Sequence, residues 1–165
     1  MECPKSAGCG PNRGWATMNI QEMPYHDCIA LVKKQRLARL ACANADVPYV
    51  VPVQYAFAND RLYVFTLPGK KLDIMRRNPN VCVQIDQLKN RHSWKSVVVD
   101  ARYIDLEVDE CREEKSQAWS LLARHLDWWE PGALKPPSKL TEATMKTHIF
   151  FALDMIDVSG RATAI

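Results

Sequence analysis

Large apolar residues alternate with smaller or polar ones in the middle of the chain. Across residues 49–57 the odd-numbered positions are large and apolar, and the even-numbered ones are smaller or polar. This period of two predicts a β-strand that packs on one face. Pro52 cannot donate a ladder hydrogen bond, so we expect an edge or a bulge there, with backbone free for another partner. Asn59-Asp60 then predicts a tight hairpin into a strand over Arg61–Thr66.

The same patterns predict further strands and helices on both sides of this hairpin. The strands are expected at residues 37–42, 81–85, 96–107 and 146–156, and the helices at 24–34, 70–78 and 109–125. Asp109 is the expected cap of the last helix. Strands joined by hairpins, with one crossing helix, favour a mainly β fold with flanking helices: a six-stranded antiparallel barrel. Glycine and proline in residues 1–20 predict a flexible tail there, and we expect 21–165 to form the folded domain.

Composition narrows the classes of protein to which the chain can belong. Its 165 residues suit one domain, and a net charge of +3 is too small for the strongly basic surface of a nucleic-acid binder. No run of apolar residues is long enough to span a membrane. Residues 1–15 lack the apolar core of a secretion signal. We therefore expect a cytoplasmic protein with a small-molecule substrate, and neither a nucleic acid nor a membrane as its partner.

The cysteines and histidines do not have the spacing of a metal site. The six cysteines include no Cys-x-x-Cys pair, and the four histidines are dispersed. We expect no metal, although Cys3 and Cys9 in the tail stay open as candidates for redox or metal chemistry. His148, expected on the polar side of the last strand, is retained as a candidate ligand or proton donor. No acid–base catalytic set can be named, so the catalytic residues are unknown.

Two lysines open the second predicted helix, where acids would be expected. The amino end of a helix carries a partial positive charge, so Lys70 and Lys71 are locally unfavourable there. An anion bound among the free amides, the two ammonium groups and the Thr66 hydroxyl would remove the conflict, and phosphate is the obvious guest. The alternative is a solvated basic turn that binds nothing.

The order of several short motifs resembles a known superfamily. The motifs are residues 48–53 (PYVVPV), 62–66 (LYVFT), 69–72 (GKKL), 78–82 (NPNVC) and 94–97 (WKSV). Together they are similar to the FMN-binding split-barrel superfamily of pyridoxamine 5′-phosphate oxidase-like proteins, nearest the nitroimidazole-resistance-type branch. The likeness covers roughly residues 24–107, and the last strand fits more loosely.

This resemblance implies a homodimer with FMN between the subunits, and it implies a set of cofactor-binding residues. Thr66, Lys70 and Lys71 would hold the phosphate. Residues 52–54 would face the edge of the isoalloxazine, and Ser96 stands where oxidases of the family carry a flavin-contacting glutamine. The full set is Pro52, Val53, Gln54, Phe65, Thr66, Lys70, Lys71, Trp94, Ser96 and Trp128. For Trp94 the alternative is a core residue at the barrel rim, and Trp128 would form a pocket wall.

The resemblance also bears on the reaction. The chain lacks the carboxy-terminal tryptophan and arginine signature with which pyridoxamine-phosphate oxidases recognise their substrate, so vitamin B6 oxidation is not the expected activity. An FMN-dependent oxidoreductase is favoured, one that reduces a small aromatic or nitro-type acceptor with NADH or NADPH as a candidate donor. Two alternatives stay open: a flavin-binding carrier or sensor without turnover, and a haem-binding protein on the same barrel.

Overall fold

The computed structural model describes residues 19–90, 92–124 and 148–163. Trp128, Cys3 and Cys9 lie outside these ranges. The strands are β1 (Ile20–Glu22), β2 (Leu37–Asn44), β3 (Val47–Gln54), β4 (Ala56–Ala58), β5 (Arg61–Thr66), β6 (Asn80–Asn90), β7 (Ser93–Asp105) and β8 (Ile149–Thr163). The helices are α1 (Tyr25–Lys34), α2 (Lys70–Arg77) and α3 (Arg112–Ala123), with a 3₁₀ helix at Asp109–Cys111. No described helix is long and apolar enough to cross a bilayer.

The strands form one antiparallel sheet that curls on itself. Its order is β3-β2-β6-β7-β8-β5-β4, with β1 added to β8. β3 and β4 are the two ends of this order, yet only Tyr55 separates them in the chain. The Tyr55 amide donates to the Arg36 carbonyl at 2.9 Å, and its hydroxyl donates to the Val32 carbonyl at 2.7 Å. The barrel is therefore closed by the chain at Tyr55, with no β3–β4 ladder among the described residues.

The structure confirms the mainly β fold with flanking helices, but the count of six strands is wrong. The described residues contain eight strands. One addition is β1, which begins at Ile20, the last residue of the predicted tail, and pairs with the end of β8. The other arises because the predicted strand over residues 49–57 is divided at Tyr55, whose two hydrogen bonds to the α1 region turn the chain from one sheet edge to the other.

Two apolar clusters hold the barrel and its helices. The first lies between the sheet, α1 and α2, and includes Leu40, Val83 and Phe151. The second lies where α3 covers the other face of β5 and β8, and includes Phe65 and Phe150. Phe150 and Phe151, which are neighbours in β8, therefore pack on opposite faces of the sheet, as a period of two predicts.

The prediction that Asp109 caps α3 is wrong. Asp109 begins the 3₁₀ helix, and Cys111 precedes α3 without a capping side chain. A polar contact with β5 holds this helix instead, because Arg61 pairs with Glu114 at 2.7 Å and the Tyr63 hydroxyl donates to the same carboxylate at 3.0 Å. The first turn of α3 carries Glu113 and Glu114, whose negative charges suit the positive end of the helix dipole.

Candidate functional site

The start of α2 has no side-chain cap. The amides of Lys70 and Lys71 have no intrahelical acceptor, because they lie in the first turn of the helix, and Gly69 before them has no side chain that could cap them. Gly69 is extended, and a Cβ there would meet no atom within 4 Å. Neither backbone strain nor crowding therefore requires glycine at this position. Its effect is to keep backbone donors accessible at the positive end of the helix dipole.

Lys71 is a partly buried cation in this first turn. Burial lowers its pKa, and the thiol of Cys42 in β2 opposes this shift electrostatically. None of the ion pairs within the described residues involves Lys70 or Lys71. A partly desolvated ammonium without a carboxylate partner beside free helix amides is an arrangement that favours an external anion.

Lys70 lies beside Tyr49, the cross-strand partner of Cys42. Cys42 in β2 is paired with Tyr49 in β3, and the Lys70 Nζ lies 4.8 Å from the centre of the Tyr49 ring. The start of α2 therefore lies near this pair: both lysines interact electrostatically with Cys42, and Lys70 also lies over the Tyr49 ring. Lys70 also lines a cavity of about 380 Å³ between α2 and the end of the β2–β3 hairpin.

Thr66 and Phe65 face opposite sides of β5. Thr66 is 4% exposed, and its hydroxyl donates to the Leu67 carbonyl at 3.1 Å. This hydrogen bond takes up the hydroxyl proton and fixes the turn before α2. Phe65 lies in the cluster beneath α3, with its ring centre 5.9 Å from that of His148. His148 is 8% exposed and lies against the Phe65 ring, so its expected position on a polar side of the strand is wrong.

Pro52 lies at a sheet edge, as predicted. β3 is the terminal strand of the sheet order, and Pro52 is exposed there opposite Arg39 in β2. The missing amide proton costs no ladder bond at such a place. Val53 and Gln54 are buried beside it, so only Pro52 of the three expected residues reaches solvent.

Ser96 belongs to a polar network on the outer face of the sheet. The Gln84 side-chain amide donates to the Ser96 hydroxyl at 3.0 Å, and Arg39 donates to the Gln84 oxygen at 3.0 Å. Arg39 also pairs with Asp86. Because Pro52 is the cross-strand partner of Arg39, this network links Pro52 with Ser96 on one face. Sequence reasoning missed Arg39, Gln84 and Asp86, since only the register of three strands brings them together.

Trp94 lies far along the sheet from the start of α2. It pairs with Leu88 in β6, whereas Cys82 of the same strand pairs with Ala41, the neighbour of Cys42. Six residues of strand separate Leu88 from Cys82, which is about 20 Å. A single chain therefore does not bring Trp94 to the two lysines.

The cysteines of the described part of the chain are not arranged for metal binding. Within that part no group of three or more Cys, His, Asp or Glu could hold an ion. Burial raises the pKa of Cys28, Cys42 and Cys82, which favours the neutral thiol over the thiolate that binds metals.

The chain matches the model of a known protein family. A family model described as pyridoxamine 5′-phosphate oxidase matches residues 25–162. The chain belongs to this family. The resemblance seen in the motifs is thereby confirmed, and so is the split-barrel class of fold.

Individual relatives of this oxidase family agree with the assignment. An uncharacterized protein of Rhizobium meliloti is 45% identical over 147 residues, which cover 88% of this chain and 96% of the relative. A FAD-binding protein of Mesorhizobium loti is 41% identical, with a TM-score of 0.73 over 89% of this chain and 100% of its own. A putative 5-nitroimidazole antibiotic resistance protein of Bacteroides thetaiotaomicron shares the fold at 17% identity, with a TM-score of 0.72 and 96% of each chain covered.

Proposed function

We propose that this chain is a cytoplasmic flavoprotein that holds the phosphate of an FMN moiety at the start of α2 and uses the flavin for oxidoreduction. The observation that carries the proposal is the pair of lysines at an uncapped helix start, one of them partly buried without a carboxylate partner. The Mesorhizobium relative described as FAD-binding, at 41% identity, supports a flavin as the ligand. The FMN moiety could be carried as FMN itself or as half of FAD.

The residues of the site have separate tasks in this proposal. Lys71 supplies a fixed positive charge for the phosphate, while the exposed Lys70 supplies a mobile one. Thr66 fixes the turn from which the helix amides project. The flavin supplies the hydride or electron transfer when it is bound, and the protein supplies position and electrostatics.

The ring of the flavin would need polar contacts of its own. Pro52 at the sheet edge and Ser96 in the outer network are exposed or partly exposed on one face. The Arg39 guanidinium adds hydrogen-bond donors to that face, where Gln84 and Asp86 orient it.

We further propose a homodimer with the flavin between its subunits. Trp94 lies about 20 Å along the sheet from the start of α2, so a second chain is needed to bring both to one ligand. The outer face that carries Pro52 and Ser96 also exposes Val50, Val98 and Ile156. Apolar side chains grouped on an outer sheet face are typical of association sites.

The expected reaction is reduction of a small aromatic or nitro-type acceptor, with NADH or NADPH as the donor. The first experiment is an absorption spectrum of the purified protein, in which we expect the two flavin bands in the blue and the near ultraviolet. Oxidation of NADH or NADPH with an added acceptor would then establish turnover. Tight flavin binding without turnover would instead support a carrier or sensor. A Soret band, or a colourless protein that refuses added flavin, would contradict the proposal.

The double substitution Lys70→Ala with Lys71→Ala tests the phosphate site. We expect flavin affinity to fall by at least about tenfold, since two charged contacts are lost, while the circular dichroism spectrum stays that of the folded protein. Lys33→Ala with Lys34→Ala is the matched control, because it removes two adjacent lysines from the end of α1. Equal flavin affinity in the Lys70/Lys71 variant and the wild type would show that the lysines form only a solvated basic turn.

A further inference from the structure

A small cavity lies at the end of the β6–β7 hairpin, about 20 Å along the sheet from the start of α2. Its volume is about 90 Å³, far below the roughly 300–1,000 Å³ of sites that enclose a whole drug-sized ligand. The cavity therefore suits one small group, with the rest of the ligand on the surface outside. The lining residues are Gln87, Lys89, Ser93, Trp94, Lys95 and Thr163.

A β-bulge contributes one of the two lysines of this cavity. The β6–β7 register shifts between Leu88 and Asn90, so Lys89 is the extra residue of β6 and has no cross-strand partner. A bulge interrupts the ladder locally and re-aims side chains. Lys89 lines the same cavity as Lys95 of the neighbouring strand.

The charge of the cavity is entirely positive. Lys89 and Lys95 line it, and no carboxylate of the described residues does. Neither lysine takes part in an ion pair within the part of the chain that the structure describes. Two ammonium groups at one small cavity repel each other, and an anion between them reverses the sign of that energy. A phosphate monoester is well matched, because it carries about 1.5 to 2 negative charges at pH 7.

An exposed apolar side chain lies beside this positive cavity. Leu88 is the cross-strand partner of Trp94 and is 72% exposed. Its surface is one on which a planar base can pack. A phosphate monoester close to a base is the feature that distinguishes NADPH from NADH, since the additional 2′-phosphate is carried by the ribose of the adenosine. Trp94 is also a proposed flavin contact, so a donor bound here would lie beside the flavin that it has to reduce.

We propose that this cavity binds the 2′-phosphate of NADPH, which makes NADPH and not NADH the electron donor of this chain. Lys89 and Lys95 pair with the phosphate charge, and Leu88 packs against the adenine. The inference rests on the proposed function for the role of the ligand as a donor. Binding of the phosphate itself does not depend on the flavin.

The test compares NADP⁺ and NAD⁺ as ligands of the purified protein by isothermal titration calorimetry. These two molecules differ only in the 2′-phosphate. We expect the wild type to bind NADP⁺ at least about tenfold more tightly than NAD⁺. Lys89→Gln combined with Lys95→Gln should lower the affinity for NADP⁺ to that for NAD⁺ and leave the affinity for NAD⁺ unchanged. Because both lysines are exposed, the preference of the wild type should also shrink as the salt concentration rises.

Lys33→Gln combined with Lys34→Gln is the matched control, because it removes two lysines from the end of α1 and should keep the preference. Equal wild-type affinity for NADP⁺ and NAD⁺, or a preference that survives in the Lys89/Lys95 variant, would overturn the site. NADP⁺ binding no tighter than that of inorganic phosphate would show that the cavity takes free phosphate and would overturn its assignment to a donor. A protein that prefers NADP⁺ and binds no flavin would support the phosphate site and overturn the proposed function instead.

Discussion

At the scale of single residues, the partly buried charge of Lys71 destabilises the ligand-free fold, and a bound anion can remove that cost. Burial disfavours its charged form and lowers its pKa from the ordinary value of 10.5. The unfolded chain thus binds this proton more tightly than the folded one does. Protonated Lys71 destabilises the ligand-free fold at neutral pH, and this contribution disappears as the pH rises through the lowered pKa. A bound phosphate reverses the balance, because it stabilises the ammonium in place.

We therefore predict that Lys71→Met weakens flavin binding without lowering the stability of the ligand-free protein. Methionine keeps most of the side-chain volume and removes the charge, so the ligand-free protein should melt at the same temperature as the wild type or higher. Flavin affinity should fall by about tenfold or more. Inorganic phosphate should raise the melting temperature of the wild type more than that of the variant. A variant that melts lower and binds flavin normally would show that Lys71 only packs against β2.

Residue patterns predicted some of this site and missed the rest for a clear reason. The lysine pair and Pro52 could be found because each breaks a local rule, one of charge at a helix start and one of strand hydrogen bonding. The electrostatic interaction between Lys71 and Cys42 joins a helix to a strand remote in sequence, and the Arg39–Gln84–Ser96 network needs the register of three strands. Neither interaction has a signal within a short stretch of sequence.

At the scale of elements, the packing of α1 on β8 depends on a glycine. A Cβ built on Gly160 would lie 2.5 Å from the Cys28 Sγ and 3.1 Å from the Met23 Cβ. The Met23 amide also donates to the Gly160 carbonyl at 2.9 Å. The approach of α1 and the segment before it to the barrel is therefore too close for any side chain at this position.

Gly160→Ala should consequently destabilise the fold by about 1–3 kcal/mol, as overpacking of a close contact does. The measurement is urea unfolding of the ligand-free protein, followed by circular dichroism. Gly69→Ala is the matched control, because a Cβ there would meet nothing within 4 Å and its backbone is extended. An unchanged midpoint for Gly160→Ala would mean that α1 shifts away from β8 without loss of stability.

Hydrophobic periodicity predicted the strands and helices, except at Tyr55, where the chain passes from one edge of the sheet to the other. Alternation continues smoothly through residues 49–57, and the change from β3 to β4 leaves no trace in it. What divides the strand is the bonding of Tyr55 to Arg36 and Val32, which lie about twenty residues earlier in the chain. A pattern of period two records which face is buried, and it does not record which neighbour a strand pairs with.

At the scale of the whole molecule, the outer face of the sheet is more apolar than a monomer requires. Val50 is 58% exposed and Ile156 is 67% exposed, and a groove of about 420 Å³ lies on this side of the sheet. The groove is lined by Ala41, Cys42, Ala43, Pro48, Asn80, Val81, Cys82, Asp100, Ala101 and Ile156. Ile156 has no partner in β7, because the β7–β8 register shifts at Asp100 and Ala101. This surface is our candidate for the dimer interface that the proposed function needs.

The resulting prediction is that dimer formation and flavin binding are lost together. The 18.8 kDa chain should sediment as a dimer, and Val50→Lys combined with Ile156→Lys should produce a folded monomer, because a charge is costly to bury in an apolar interface. If the ring site needs the partner subunit, the monomer should bind flavin at least about tenfold more weakly. Val108→Lys, at a position 48% exposed just before the 3₁₀ helix, is the control. A monomeric wild type would contradict the dimer, and a monomeric variant with full flavin affinity would show that one chain holds the whole cofactor site.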